Sequence, residues 1–248
     1  MLRLIVTDWN RTIFEDYYEE TFLKILYKNI FINSLSVLDF GKIFNLIVFN
    51  VRFQRVFRDL KGDLGNKSDC IEQAKKLLHS HLFENLSNRI LEKSTQEYSV
   101  AVAHKLDKRI LDPIYQLSKE KGIQIVIISS GYDIGIKKVL ENNAYYFDFI
   151  FANKFDVQDQ AVKQFQYHIL NNKQEILRRF LLDHNIPSEG VLYVGDDEMD
   201  RGCLEYVGYP VASFFTPEKT LKLMKTIKNI YIPKDQTQFE VYLKGCVK

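Results

Sequence analysis

The chain has 248 residues, which allows one large domain or a core domain with a smaller insert and suffices for a sizeable core without disulfide bonds. Hydrophobic residues make up 46% and charged residues 27%, so the composition is globular and excludes a disordered or fibrous protein. Lys and Arg number 34 against 32 Asp and Glu, and the net charge of +2 gives no reason to expect nucleic acid or a membrane as partner.

Signals for export and for cross-linking are weak. The three cysteines, Cys70, Cys203 and Cys246, are scattered, which argues against a disulfide framework and a zinc site. The first apolar run reaches Asp8 at once, unlike a signal peptide. The most apolar internal stretch, residues 44–51, is far shorter than the roughly 20 residues that span a bilayer. We therefore expect a reduced, soluble, cytoplasmic protein.

The apolar runs predict buried strands that alternate with helices. The first strand is predicted over residues 2–7, and long apolar-periodic segments then predict a helical insert. Further strands are predicted at 124–128, 149–152, 191–194 and near 211–215, with helices that open at Pro113 and Lys173. The polar tail after Ile232 is expected to be loosely attached.

This order predicts an α/β fold with a doubly wound, Rossmann-like parallel sheet. The core would comprise residues 1–14 and 106–248, and residues 15–105 would form a second, helical domain.

Polar residues follow three of the predicted strands, at the end where an open parallel sheet binds its ligands. They are Asp8 to Thr12, Ser129 to Gly131, and Gly195 to Asp200. Two like charges about 4 Å apart repel by roughly 4 kcal/mol at an effective dielectric of 20, so a shared site for these carboxylates needs a positive charge. No His or Cys lies in these segments, which favours Mg²⁺ over zinc. Carboxylates with Mg²⁺, a hydroxyl and a glycine-backed loop suit a phosphate group.

These segments resemble the motifs of the haloacid dehalogenase superfamily of phosphohydrolases, and within it the phosphoserine-phosphatase-like branch with a helical cap. The resemblance covers residues 2–14 and 111–215, and it lies in the order and spacing of the motifs. It implies a haloacid dehalogenase core in which residues 15–105 form the cap.

The resemblance also implies a role for each motif residue. Asp8 is the nucleophile that forms an aspartyl phosphate, and Ser129, Ser130 and Gly131 with Thr12 form the phosphate-binding set. Lys173 is the motif lysine, with Lys163 as the alternative. The implied metal ligands are Asp8, the backbone carbonyl of Asn10, Asp196 and Asp200, and Asp200 would also orient the lysine or a metal-bound water.

One departure from the family pattern concerns catalysis directly. The second aspartate of the first motif protonates the leaving oxygen and later activates water, and this chain has Asn10 there. An amide can do neither, and such acid–base help is worth about 10²–10⁴-fold in rate. We therefore expect a phosphatase that is slow at hydrolysis of the aspartyl phosphate, unless Asp197 or Glu198 replaces the missing acid or the substrate has a good leaving group.

The predicted function is Mg²⁺-dependent hydrolysis of a small phosphate monoester, with a phosphorylated metabolite as substrate. One alternative is a non-catalytic or regulatory phosphate-binding protein on the same fold, which Asn10 suggests. A dehalogenase or a phosphonatase is a weaker alternative, because the first would not need the acidic motif and the second would need a Schiff-base lysine that the insert does not single out. Substrate identity and oligomeric state are not predicted.

Overall fold

A computed structural model gives the fold and describes residues 1–15, 18–61, 77–166, 169 and 172–247. Cys70 lies outside this part of the chain, whereas Cys203 and Cys246 are both buried as free thiols.

A six-stranded, mainly parallel sheet forms the centre of the fold. Within the described residues its strands are β1 (Leu4–Thr7), β2 (Gln124–Tyr132), β3 (Phe149–Gln158), β4 (Ala161–Gln166), β5 (Val191–Gly195) and β6 (Tyr209–Ala212). The order across the sheet is β4-β3-β2-β1-β5-β6, and the pairs β1–β2, β1–β5, β2–β3 and β5–β6 are parallel. The predicted α/β class is confirmed, and β1 lies inside the sheet with strands on both sides.

The helices occupy most of the remaining described chain. They are α1 (Tyr18–Ser36), α2 (Phe40–Lys61), α3 (Asn88–Val102), α4 (Lys108–Lys121), α5 (Asp133–Asn142), α6 (Lys173–Asp183), α7 (Arg201–Tyr206), α8 (Glu218–Met224) and α9 (Gln236–Cys246). A π-helical turn covers His79–Phe83, and short 3-10 turns cover Ala103–Lys105, Ser188–Gly190 and Glu198–Asp200.

Helix α4 shows how local sequence sets an element's limits. The Asp107 side chain accepts a hydrogen bond from the Arg109 amide and so caps the first turn. Gly122 ends the helix in the left-handed region at φ 67°, and its amide donates to the Ser118 carbonyl. Pro113 was predicted to open this helix but lies inside it, because the cap at Asp107 starts the helix earlier.

The core of the sheet is aliphatic and aromatic. Leu4 and Val6 of β1 and Val126 and Ile128 of β2 pack with Tyr193 of β5. Strands β1 and β5 are buried along their whole length, which explains their mostly apolar sequences.

Two compact units make up the chain. Unit 1 contains residues 1–19, 99–154 and 167–248, and unit 2 contains residues 20–98 and 155–166. The second unit thus includes β4 and the end of β3, from a stretch that the sequence analysis assigned to the core. Unit 2 has its own aromatic cluster, in which Phe83 contacts Phe155 and Phe165 with ring centroids 5.0 and 4.7 Å apart.

The C-terminal tail differs from the expectation of loose attachment. It contains α9, whose Phe239, Leu243 and Cys246 are buried. The Cys246 carbonyl accepts a hydrogen bond of 3.1 Å from the Leu2 amide. These three apolar positions lie on one helical face, so the tail is fixed by packing.

Among the described helices, none has the length and apolar character that a membrane crossing requires.

Candidate active site

Three chain segments leave neighbouring strands at one edge of the sheet. Thr7 of β1 is in register with Ile127 of β2 on one side and with Val194 of β5 on the other. The Asp8 amide donates to the Val194 carbonyl at 2.9 Å, which continues the pairing one residue further. The segments that follow β1, Ile128 of β2 and β5 therefore all begin at the carboxyl edge of the sheet.

The segment after β1 folds into a tight turn. The amides of Thr12, Ile13 and Phe14 all donate to the Trp9 carbonyl. The Trp9 side chain is fully buried and stacks on Phe14, with ring centroids 5.3 Å apart. This packing fixes the backbone of the turn that carries Thr12 and follows Asp8.

The turn is also tied to the segment after β6. Arg11 lies at φ 52°, in the left-handed region, and its Nη2 donates to the Phe215 carbonyl at 3.0 Å. Ser213 Oγ donates to the Arg11 carbonyl at 2.7 Å. Sequence reasoning missed this role of Ser213, since nothing in a lone serine after a strand indicates such a distant partner.

Asp8, Asp196 and Asp200 form the group we call the acidic cluster. One oxygen of each lies within 4.8 Å of the others, and all three residues are buried. Thr12 Oγ1 donates to Asp196 Oδ1 at 3.3 Å. The structure thus brings together four residues that the sequence analysis selected from opposite ends of the chain.

Lys173 supplies a positive charge beside the acidic cluster. It is the first residue of α6 and is only 3% exposed. Its Nζ lies 2.8 Å from Asp200 Oδ1 and 3.0 Å from Asp8 Oδ1. The alternative, Lys163, is an exposed residue of β4 in the other unit.

Asp200 accepts hydrogen bonds on both oxygens. Its Oδ1 accepts from Lys173 Nζ and, at 2.7 Å, from the Tyr193 hydroxyl. Its Oδ2 accepts from the amides of Asp196 and Asp197 at 3.0 and 3.3 Å. With two donors on each oxygen, this carboxylate is held firmly in place.

Asp197 acts as a helix cap. Its Oδ1 accepts from the amides of Met199 and Asp200, and Asp200 reciprocates, so the two form a capping box at the 3-10 turn. Asp197 therefore caps the 3-10 turn, whereas Asp200 also bonds Lys173.

The Ser129 loop, residues 129–131, lies within β2. The register with β3 shifts between Ile128 and Tyr132, so the loop departs from regular pairing. Ser129 is buried, and its Oγ accepts a hydrogen bond of 3.0 Å from the Gly131 amide. The buried Asn153 donates from Nδ2 to the Ser130 carbonyl at 2.5 Å and steadies the loop from β3.

The acidic cluster carries an excess of negative charge. Three carboxylates face one ammonium group, which leaves a formal charge of −2 when all are ionised. Burial, together with the neighbouring carboxylates, raises the pKa of Asp8 to about 8 and that of Asp196 to about 9. Burial alone would lower the pKa of Lys173, but the charges of Asp200 and Asp8 raise it well above its ordinary value.

A divalent cation fits this group of residues. The donor atoms are carboxylate oxygens, which hard cations such as Mg²⁺ prefer. Asp8 Oδ1 has an ion pair with Lys173 but no hydrogen bond, so it has capacity for a further electropositive partner. A charge of +2 would offset the excess and favour the ionised carboxylates.

Asn10 is buried in the same turn and forms a bridge with Phe14. Asn10, which replaces the aspartate of the family motif, therefore lies in the same turn as the nucleophile candidate Asp8 and two residues from it.

Comparison with known proteins agrees with the fold. The family model of the haloacid dehalogenase-like hydrolases matches residues 55–205, more than half of the chain. The chain therefore belongs to the haloacid dehalogenase-like hydrolase family. The match includes Ser129, Lys173 and the 195–200 motif but begins after Asp8, so it is the structure that brings Asp8 to Lys173, Asp196 and Asp200.

Solved structures share the fold at low sequence identity. A haloacid dehalogenase family hydrolase from Salmonella enterica serovar Typhi is 17% identical with a TM-score of 0.61, over 98% of this chain and 71% of that one. A substrate-bound phosphoserine phosphatase is 17% identical with a TM-score of 0.58, over 98% of both chains. A phosphoserine phosphohydrolase-like protein from Francisella tularensis is 16% identical with a TM-score of 0.59, over 98% of this chain and all of that one.

The family predicted from the motifs is confirmed by the family model, and the solved structures, at such identity, show the fold alone. The search of curated proteins gave no match.

Proposed function

We propose that this protein is a Mg²⁺-dependent phosphatase that hydrolyses a small phosphate monoester through an aspartyl phosphate on Asp8. The observation that carries the proposal is the position of Asp8 at the end of β1, with Lys173 Nζ 3.0 Å away and Asp196 in the same buried cluster. Membership of a hydrolase family supports the reaction type.

In this proposal the residues at the strand edge divide the work. Asp8 and Asp196 hold Mg²⁺ together with the Asn10 carbonyl, and Lys173 offsets the charge of Asp8 and the phosphoryl group. The Ser129 hydroxyl and the Ser130 amide hold phosphate oxygens, and the Gly131 amide donates to Ser129 Oγ. Asp200, whose oxygens each accept two hydrogen bonds, serves to position Lys173, although the sequence analysis also named it as a metal ligand. When bound, the metal supplies positive charge that offsets the phosphoryl oxygens.

The proposed reaction has two steps, formation of the aspartyl phosphate and its hydrolysis. An oxygen of ionised Asp8 forms a bond to phosphorus while the bond from phosphorus to the ester oxygen breaks, and the alcohol leaves after taking a proton from water. A second water then attacks phosphorus and gives a proton to the hydroxide that the first step left, the bond from phosphorus to Asp8 breaks, and phosphate departs with the carboxylate restored. Because Asn10 cannot take a proton from that water, the second step is the slower one.

We further propose that the core comprises residues 1–14 and 106–248, and that residues 15–105 act as a cap that selects the substrate. The grouping of residues 20–98 in a unit separate from β1, β2 and β5 supports this division, whereas residues 155–166 of the proposed core belong to that second unit.

The test is Mg²⁺-dependent release of phosphate from p-nitrophenyl phosphate by the purified protein. Asp8→Asn should abolish release, whereas Asp159→Asn, at an exposed turn, should leave it unchanged. Activity that persists in the Asp8 variant would contradict the proposal.

A second candidate function is phosphate binding without turnover, which the amide of Asn10 favours. A wild-type protein that binds phosphate in the presence of Mg²⁺ but releases none from any ester would support it.

A further inference from the structure

Tyr193 is the polar residue of an otherwise apolar strand. Its neighbours on β5 are Leu192 and Val194, and the aliphatic cluster around it includes Leu4 and Val6. Tyr193 is fully buried, so its hydroxyl has no access to water. A phenylalanine would satisfy the packing at this position without a polar atom to pair.

The hydroxyl donates to Asp200 Oδ1 at 2.7 Å. The same oxygen accepts a hydrogen bond from Lys173 Nζ at 2.8 Å, and Lys173 Nζ also forms an ion pair with Asp8 Oδ1 at 3.0 Å. Four buried polar groups therefore form a continuous line from the middle of β5 to the proposed nucleophile.

The two oxygens of Asp200 are fixed in different ways. Oδ2 is held by two backbone amides, and a carboxylate held at one oxygen alone can still pivot about it. The Tyr193 hydroxyl supplies the uncharged donor that fixes Oδ1. Since Lys173 bonds to that oxygen, its distance from Asp8 depends on where Oδ1 is held.

We propose that Tyr193 is a positioning residue, which acts through Asp200 to hold Lys173 beside Asp8. This inference rests on the proposed function, because it assigns Tyr193 to the same reaction. Tyr193 itself touches neither the substrate nor the phosphoryl group.

The test compares Tyr193→Phe with Tyr231→Phe, which also removes a hydroxyl donor in unit 1 but one that bonds to the Gln238 carbonyl. Binding of beryllium fluoride, which mimics the phosphoryl group on an aspartate, is measured by calorimetry in saturating Mg²⁺, and kcat is measured with p-nitrophenyl phosphate. We expect Tyr193→Phe to weaken beryllium fluoride binding and to lower kcat by about tenfold each, the size of one lost hydrogen bond to a charged group. The affinity for Mg²⁺ should change less than about twofold, because Asp8 and Asp196 are untouched. Tyr231→Phe should resemble wild type.

Each other outcome counts against the proposal. Wild-type affinity and kcat in Tyr193→Phe, with only a lower Tm, would show that the hydroxyl is merely structural. If Tyr193→Phe does not fold, Tyr193→Leu is measured in the same way, and failure of both to fold would overturn the proposal. If the wild-type protein binds neither Mg²⁺ nor beryllium fluoride, the proposed function fails and this inference with it. If the wild type binds both and Tyr193→Phe binds equally well, this inference alone fails.

Discussion

Gly195 faces the carboxyl group of Asp200 so closely that a Cβ on Gly195 would lie 2.6 Å from Asp200 Cγ. Asp200 cannot move away cheaply, because hydrogen bonds hold both of its oxygens. The glycine in this motif is therefore required by the side chain five residues later.

From this contact we expect Gly195→Ala to destabilise the fold by about 1–3 kcal/mol, the usual cost of overpacking. It should also lower phosphatase activity, because Asp200 must shift and Lys173 with it. Thermal unfolding and the phosphate-release assay measure the two effects. Gly245→Ala in α9 is the matched control, since a Cβ there meets nothing within 4 Å. Equal behaviour of the two variants would contradict the prediction.

Restoring the missing acid should accelerate turnover. We expect Asn10→Asp to raise the rate of phosphate release by about 10²–10⁴-fold, because a carboxylate can protonate the leaving oxygen and activate water. Acid quenching during turnover should trap aspartyl phosphate in the wild type and less of it in the variant. The control is Asn185→Asp, at an exposed position that also lies in the left-handed region. An unchanged rate in Asn10→Asp would favour the phosphate-binding function.

Removing the buried lysine should be costly. Lys173→Met leaves Asp8 and Asp200 without their shared cation, and breaking a buried ion pair in this way typically costs about 3–5 kcal/mol. We expect a lower Tm and no measurable phosphate release. Lys163→Met tests the other lysine considered from the sequence, which is exposed, and it should leave both properties unchanged. Loss of activity in Lys163→Met instead would mean that the wrong lysine was chosen.

The stability of the metal-free protein should fall as the pH rises. Burial raises the pKa of Asp8 to about 8 and of Asp196 to about 9, against an ordinary value of 3.8. Between about pH 4 and pH 8–9 the folded state therefore binds more protons than the unfolded state. The stability that these two carboxyl groups contribute is complete below about pH 4 and is lost as the pH rises through about 8–9.

Mg²⁺ should counter this loss, since it competes with the protons for the same oxygens. We expect the rise in Tm on adding Mg²⁺ to be larger at about pH 9 than at about pH 6, and Asp196→Asn to reduce that difference. A metal-induced rise in Tm that is independent of pH would contradict the assignment of these carboxylates as ligands.

Much of the site was accessible from the sequence. Asp8, Ser129 and Asp196 each follow an apolar run, and parallel neighbouring strands end at one edge, so their convergence could be predicted without coordinates. Lys173 was found from its position at the start of a helix before β5, and the structure places it against Asp8.

The rest depended on contacts between distant parts of the chain. A tyrosine in a buried strand signals that its hydroxyl needs a partner, but only the structure identifies Asp200 as that partner. Residues 155–166 contain the end of β3 and all of β4, and they belong to unit 2, where Phe155 and Phe165 pack against Phe83. The tail was misjudged although the spacing of Phe239, Leu243 and Cys246 already had a helical period.

The stacking of Trp9 on Phe14 has a practical consequence. Trp9 is the only tryptophan in the chain, and it is the residue next to Asp8. All indole emission from this protein therefore originates beside the proposed nucleophile. The chain carries its own optical reporter, and events at that carboxylate can be followed in solution without attaching a dye.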